Sequence, residues 1–117
     1  MNKRVVGSRY EQVAGTYLEE KGYHILQYNY RNAFGEIDLI AEDVDGTIVY
    51  CEVKYRRSNA YGDPLEAVDR RKQRKIYQVA ACHYADHGEK TRRPCRFDVI
   101  AIYGDGTIRH ISNAFGG

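Results

Sequence analysis

Residues 35–56, GEIDLIAEDVDGTIVYCEVKYR, read as a β-hairpin, and their register decides the architecture. Two strand-forming runs flank Asp45-Gly46, a strong turn signal. Side chains alternate across a strand, so Glu36, Asp38 and Ile40 share one face while Ile37, Leu39 and Ala41 share the other. On the returning strand Val49, Cys51 and Val53 share a face, opposite Tyr50, Glu52 and Lys54. A two-residue loop would pair residues whose numbers sum to 91, setting Asp38 against Val53 and Leu39 against Glu52. That puts apolar side chains across from charges on both faces. A three-residue loop, Val44-Asp45-Gly46, with Gly46 left-handed as a bulge, changes the sum to 90. Asp38 then faces Glu52, Ile40 faces Tyr50, Glu36 faces Lys54, and Leu39 lies opposite Cys51 or Val53. This register sorts both faces and is the one expected.

Two directly opposed carboxylates repel each other unless a cation sits between them. Hard divalent ions take oxygen ligands and keep several waters, so two carboxylates and one backbone carbonyl suffice. A lysine two residues along the same face can orient or deprotonate a water or neutralise a phosphate. Asp38, Glu52 and Lys54 therefore suit metal-assisted phosphodiester hydrolysis. They equally suit an exposed hairpin face on which a lysine bridges two acids, and the spacing leaves both readings open.

Working outward, residues 8–22 read as a helix with Tyr10, Val13, Ala14, Tyr17 and Leu18 on one apolar stripe. Ser8 and Glu11 make a capping box, and Gly22 is the stop. Residues 24–31 form a strand. Asp63-Pro64-Leu65-Glu66 opens a second helix, with an Asp cap and Pro at its first position, running to about Asp86 before Gly88. Residues 95–103 form a strand, 104–106 a turn and 107–112 a last strand, and the tail NAFGG shows no structural signal. The order α-β-β-β-α-β-β predicts an α/β fold, a mixed sheet flanked by helices.

The 117 residues fit one domain, 1–117, and a 43% hydrophobic, 29% charged composition is globular rather than disordered. A net charge of +2 excludes a strongly basic or acidic chain, but the charges segregate: acids at 36–45, bases at 54–57, 70–75 and 92–96. Three widely spaced cysteines without a CxxC, no apolar stretch of membrane-spanning length and no signal-peptide core predict a reduced, cytoplasmic protein without membrane partners.

The stretches Gly35-Glu36-Ile37-Asp38-Leu39-Ile40-Ala41, Glu52-Val53-Lys54-Tyr55-Arg56 and Gly62-Asp63-Pro64-Leu65-Glu66-Ala67-Val68, with Lys72, closely resemble the YraN family of bacterial endonuclease-like proteins. That family is similar in turn to archaeal Holliday junction resolvases and the PD-(D/E)XK nuclease superfamily. The resemblance extends over nearly the whole chain, from Glu11 to Arg96-Phe97-Asp98-Val99. It implies a restriction-endonuclease-like fold and a Mg²⁺- or Mn²⁺-dependent endonuclease acting on DNA rather than RNA, with branched or junction DNA as substrate and a homodimer as the assembly. The alternative is a nucleic-acid-binding module of the same fold without catalysis. In the superfamily pattern Asp38 matches the metal-binding Asp, Glu52 and Lys54 the ExK pair, the Val53 carbonyl the backbone ligand and Glu11 an acid from the first helix. Ile37 stands where the literal signature has Pro.

Other residues are read against structural roles. Glu11 is as well explained by capping. Lys72 falls in the middle of the stripe Leu65, Val68, Ile76, Val79 and His83, where a lysine must snorkel or find a carboxylate or phosphate, while Arg70 and Arg74 point away. Arg56, Arg70, Arg71, Arg74 and Lys75, with Lys72, are candidate phosphate contacts, and Tyr55 and Tyr61 candidate stacking surfaces. The four histidines show neither metal-ligand nor triad spacing, and Asp98 reads as a local salt-bridge partner.

Overall fold

A computed structural model describes residues 9–57, 68–88, 90 and 92–115. Its elements are α1 (Arg9–Glu20), β1 (His24–Asn32), β2 (Gly35–Glu42), β3 (Ile48–Arg56), α2 (Arg70–His87), β4 (Cys95–Tyr103) and β5 (Ile108–Ile111). The five strands lie in sequence order in one sheet. β3 and β4 are parallel, as a connection through a helix allows, and the other neighbours are antiparallel hairpins. This is the α-β-β-β-α-β-β order and mixed sheet expected of a restriction-endonuclease-like fold.

Alternation along the strands builds two cores. Leu39, Ala41, Val49, Cys51, Ile100 and Ile102 meet Ala14 and Leu18 of α1 on one face of the sheet. Ile40, Ile48, Tyr50 and Val99 meet Ile76, Val79 and Ala80 of α2 on the other. Each fully buried large aliphatic side chain contributes about 1.5–3 kcal/mol.

The hairpin adopts the bulged register. Leu39 pairs with Cys51, Ile40 with Tyr50, Ala41 with Val49 and Glu42 with Ile48. The turn closes through Asp43 N–H to Thr47 O (2.9 Å) and Gly46 N–H to Asp43 O (3.0 Å), with Gly46 at φ +91°. The β4–β5 turn repeats it: Tyr103 N–H to Thr107 O, Gly106 N–H to Tyr103 O, and Gly106 at φ +90°. In each, an Asp one residue before the Gly (Asp45, Asp105) accepts the N–H of the following Thr at 3.0 Å.

Several expectations are corrected. Val68 is not helical and Asp69 is extended, with its carboxylate accepting the Lys72 N–H, so α2 begins at Arg70 rather than at Pro64. Asp63, Pro64 and Leu65, like Ser8 and Tyr61, lie outside the described residues. On α1 the buried positions are Glu11, Ala14, Gly15 and Leu18, whereas Tyr10 and Val13 are exposed. The helix is rotated because it approaches β1 closely at Gly15, where any Cβ would collide with the Tyr28 hydroxyl. The tail is not structureless: Phe115 is buried in the core beneath α2, and its carbonyl accepts the Tyr77 hydroxyl at 2.9 Å.

Ile37 also departs from the parity count. It packs in the core beneath α2 with Ile40, not across the sheet with Leu39. The β2–β3 ladder stops at Leu39–Cys51, while β2 stays paired with β1 as far as Gly35. Glu36 correspondingly sits 3.4 Å from Arg31 of β1 instead of facing Lys54.

Candidate active site

The divergence of β2 from β3 makes the site. Beyond Cys51 the next ladder partner is gone, and the Asp38 carboxylate takes its place, accepting the Val53 N–H at 2.9 Å. In a strand the N–H and C=O of one residue address the same neighbouring strand. The Val53 carbonyl is therefore aimed into the gap beside Asp38 as well. Glu52 is only 5% exposed and lies on the α2 face, as Tyr50 does two residues earlier.

Asp38 and Glu52 are brought together as neighbours. Burial, the Glu52 charge and a hydrogen bond to the Glu52 carboxylate push Asp38 up to about 8, against the lowering effect of the Val53 N–H. Two carboxylates can share a hydrogen bond only if one carries a proton, so near neutrality the pair holds one proton between them.

Two ammonium groups answer this acid pair. Lys72 Nζ lies 2.6 Å and Lys54 Nζ 3.5 Å from Glu52 Oε2. The lysine in the α2 stripe thus finds a carboxylate rather than snorkelling. Burial and the adjoining Lys72 ammonium hold Lys54 below the ordinary lysine range, although Glu52 opposes them. Burial also works against charge on Lys72, but its hydrogen bonds to Glu52 and Lys54 outweigh that and raise it. Lys54 is accordingly the amine that gives up its proton more readily.

Glu11 is buried on α1, and its charge contributes to the upward shift of Asp38. Among the described residues, no three of His, Cys, Asp and Glu converge into a metal-holding group. The available donor set is two carboxylates and a carbonyl, which fits a hard ion that retains its waters and not a site closed by side chains.

The expected basic residues divide. Arg71, Lys72 and Lys75 line one cleft of about 350 Å³ with Asp69, while Arg70 and Arg74 are exposed on α2 and do not line it. Arg56 ends β3 half-buried, and its Nε is buried without a hydrogen-bond partner among the described residues.

A second charged cluster, only partly anticipated, lies level with the acid pair but on the α1 face of the sheet, Asp98 pairing with Cys51 beside Glu52. Asp98 is fully buried. Its carboxylate accepts from Arg96 Nε (3.0 Å), the Asn113 N–H (2.9 Å) and His110 Nε2 (2.7 Å). Arg96 also reaches Asp43 and the Tyr23 hydroxyl, each at 2.7 Å, and His110 Nδ1 meets the Tyr17 hydroxyl at 3.2 Å. Asp98 is the salt-bridge partner expected, but within a network joining α1, β4, β5 and the β2–β3 turn.

Residues 10–102 match the family described as "Uncharacterised protein family UPF0102". A UPF0102 protein of Lachnoclostridium phytofermentans is 44% identical over 115 residues, covering 98% of this chain and 96% of that protein. One from Caldanaerobacter subterraneus is 44% identical over 121 residues, covering 98% of both, and one from Vibrio parahaemolyticus is 41% identical over 114 residues, covering 97% and 93%. Among solved structures, a chain in the structure of an EndoMS–dsDNA complex is similar at 22% identity and a TM-score of 0.43. The likeness covers 88% of this chain but only 37% of that one. The chain belongs to the UPF0102 family, which is the YraN family.

Proposed function

We propose that this UPF0102 member is a divalent-metal-dependent endonuclease that hydrolyses phosphodiester bonds in DNA. The observation that carries the reading is the buried Asp38–Glu52 pair, two carboxyl groups held together at the cost of keeping a proton between them. Such a pair is costly as pure scaffold, because burial and like charge both oppose it. It is well suited to a cation.

Asp38, Glu52 and the Val53 carbonyl would hold Mg²⁺ or Mn²⁺, with Glu11 adding negative charge behind them. The ion supplies Lewis-acid stabilisation of the charge that develops on the phosphate. The chain's own residues do the rest. The Val53 N–H fixes the Asp38 carboxylate, Lys54 orients the attacking water and draws off its proton, and Lys72 moves from Glu52 to a phosphate oxygen. Arg71 and Lys75 in the same cleft, with Arg56, Arg70 and Arg74 further out, neutralise neighbouring phosphates. Branched DNA, a second copy of the chain serving the opposing strand, and a cytoplasmic setting that keeps Cys51, Cys82 and Cys95 as thiols complete the proposal.

The test is a cleavage panel of single-stranded, duplex, flap and four-way DNA, and RNA, with Mg²⁺ or Mn²⁺. Metal-dependent DNA cutting is expected, with Asp38→Asn and Lys54→Ala each slowing it by about 10²–10³. Salt-sensitive binding with no cleavage by the wild type would reduce the protein to a nucleic-acid-binding module.

A further inference from the structure

Beside the acid pair stands an aromatic feature that neither core uses. The rings of Tyr10 and Tyr55 stack with centroids 4.4 Å apart and planes 21° from parallel. Tyr10 is 36% and Tyr55 42% exposed, and neither belongs to the core clusters among the described residues. Their positions tie them to the site. Tyr10 immediately precedes Glu11 on α1, and Tyr55 immediately follows Lys54 on β3.

Successive strand residues point to opposite faces. Lys54 and Arg56 therefore lie on the Glu52 side of the sheet end, and Tyr55 on the α1 side with Tyr10. A nucleotide crossing the end of β3 would lay its phosphate against Lys54, whose side chain is partly exposed, and its base over the sheet edge onto the outer face of the tyrosine pair. A base within a duplex cannot do this, because its faces are already covered by its neighbours.

We infer that the Tyr10–Tyr55 pair is a base-stacking platform, and that it makes the site select DNA offering an unpaired nucleotide beside the scissile phosphate. The inference rests on the nuclease reading for the position of that phosphate. Stacking of a base on an aromatic side chain changes affinity about tenfold or more.

The test is binding by fluorescence anisotropy in EDTA, at one fixed salt concentration, with a blunt duplex and the same duplex carrying a single-stranded flap. Wild type should favour the flap by about tenfold or more. The Tyr10→Leu/Tyr55→Leu double variant should lose that preference while binding the blunt duplex as before, and Tyr10→Phe/Tyr55→Phe should keep it. Flap binding unchanged in the Leu variant, or equal loss on both DNAs in the Leu and Phe variants alike, would overturn the platform. So would a wild type without flap preference. Because no metal and no cleavage enter this readout, absence of cutting on every DNA would sink the nuclease reading while leaving the binding comparison intact.

Discussion

The two faces of the sheet each bury a carboxylate among charged neighbours, and they do it in opposite ways. On the α1 face, Asp98 receives donors from Arg96, His110 and the Asn113 amide. Burial alone would raise it, but those hydrogen bonds, His110 first, bring it below the ordinary aspartate range. Beside Glu52 of the α2 face, Asp38 meets a second acid and is pushed up to about 8. A saturated carboxylate welds elements together. Two acids crowded together stay side by side near neutrality only by keeping a proton that a cation can replace, and this is what separates a structural charge cluster from a candidate site.

The largest effect should come from breaking the saturated cluster. Asp98→Ala leaves Arg96 and His110 facing a buried void and should destabilise the fold by about 3–5 kcal/mol, read as a lowered urea midpoint. Asp38→Asn, by contrast, removes repulsion. Without metal, the variant should be as stable as wild type or more so, while its DNA cleavage falls as stated above. A large stability loss in Asp38→Asn would erase the distinction between the two clusters.

The pH dependence sharpens it next. Asp38 binds its proton more tightly folded than unfolded. Its contribution to metal-free stability is complete below the unfolded value near 4 and is lost as pH rises through about 8. Asp98 has the opposite sign: its contribution is present above the unfolded aspartate value and is lost as pH falls through its lower folded one. Urea midpoints of metal-free wild type and Asp38→Asn should therefore diverge as pH rises from about 5 to 8, with the variant gaining.

A smaller effect belongs to His83, buried against the Tyr50 hydroxyl at 2.9 Å. Burial, then the neighbouring His87, hold it down to about 4. Its stability contribution is present above the unfolded histidine value near 6.5 and is lost as pH falls towards 4. His83→Gln should flatten that part of the acid limb of a stability–pH curve. The smallest change is Gly46→Ala. Nothing lies within 4 Å of the added Cβ, but φ is +91°, so backbone strain alone should cost about 1–2 kcal/mol in thermal melts.

How much of this could be read from residues follows the range of each signal. Gly46 and the sorting of faces sufficed for the hairpin register, and hence for the Asp38–Glu52 encounter, because turn chemistry is local. The start of α2 was misread because Asp63-Pro64 and Asp69 are both good caps, and only the fold shows Asp69 accepting the Lys72 N–H. Ile37 defied parity because the ladder ends where Asp38 replaces it, a break with no mark in the alternation. The Asp98–His110 contact was missed although its signal was present. The β4–β5 turn repeats the first, and counting across it sets His110 opposite Ile100, diagonal to Asp98 on the same face.

The central claim is that Asp38 and Glu52 form a seat for one divalent cation, and Mn²⁺ titration followed by the electron paramagnetic resonance of the free ion tests it most directly. Wild type should take up one Mn²⁺ saturably, and Glu52→Gln should abolish that uptake. Binding that is non-saturable in the wild type, or undiminished in Glu52→Gln, would contradict it.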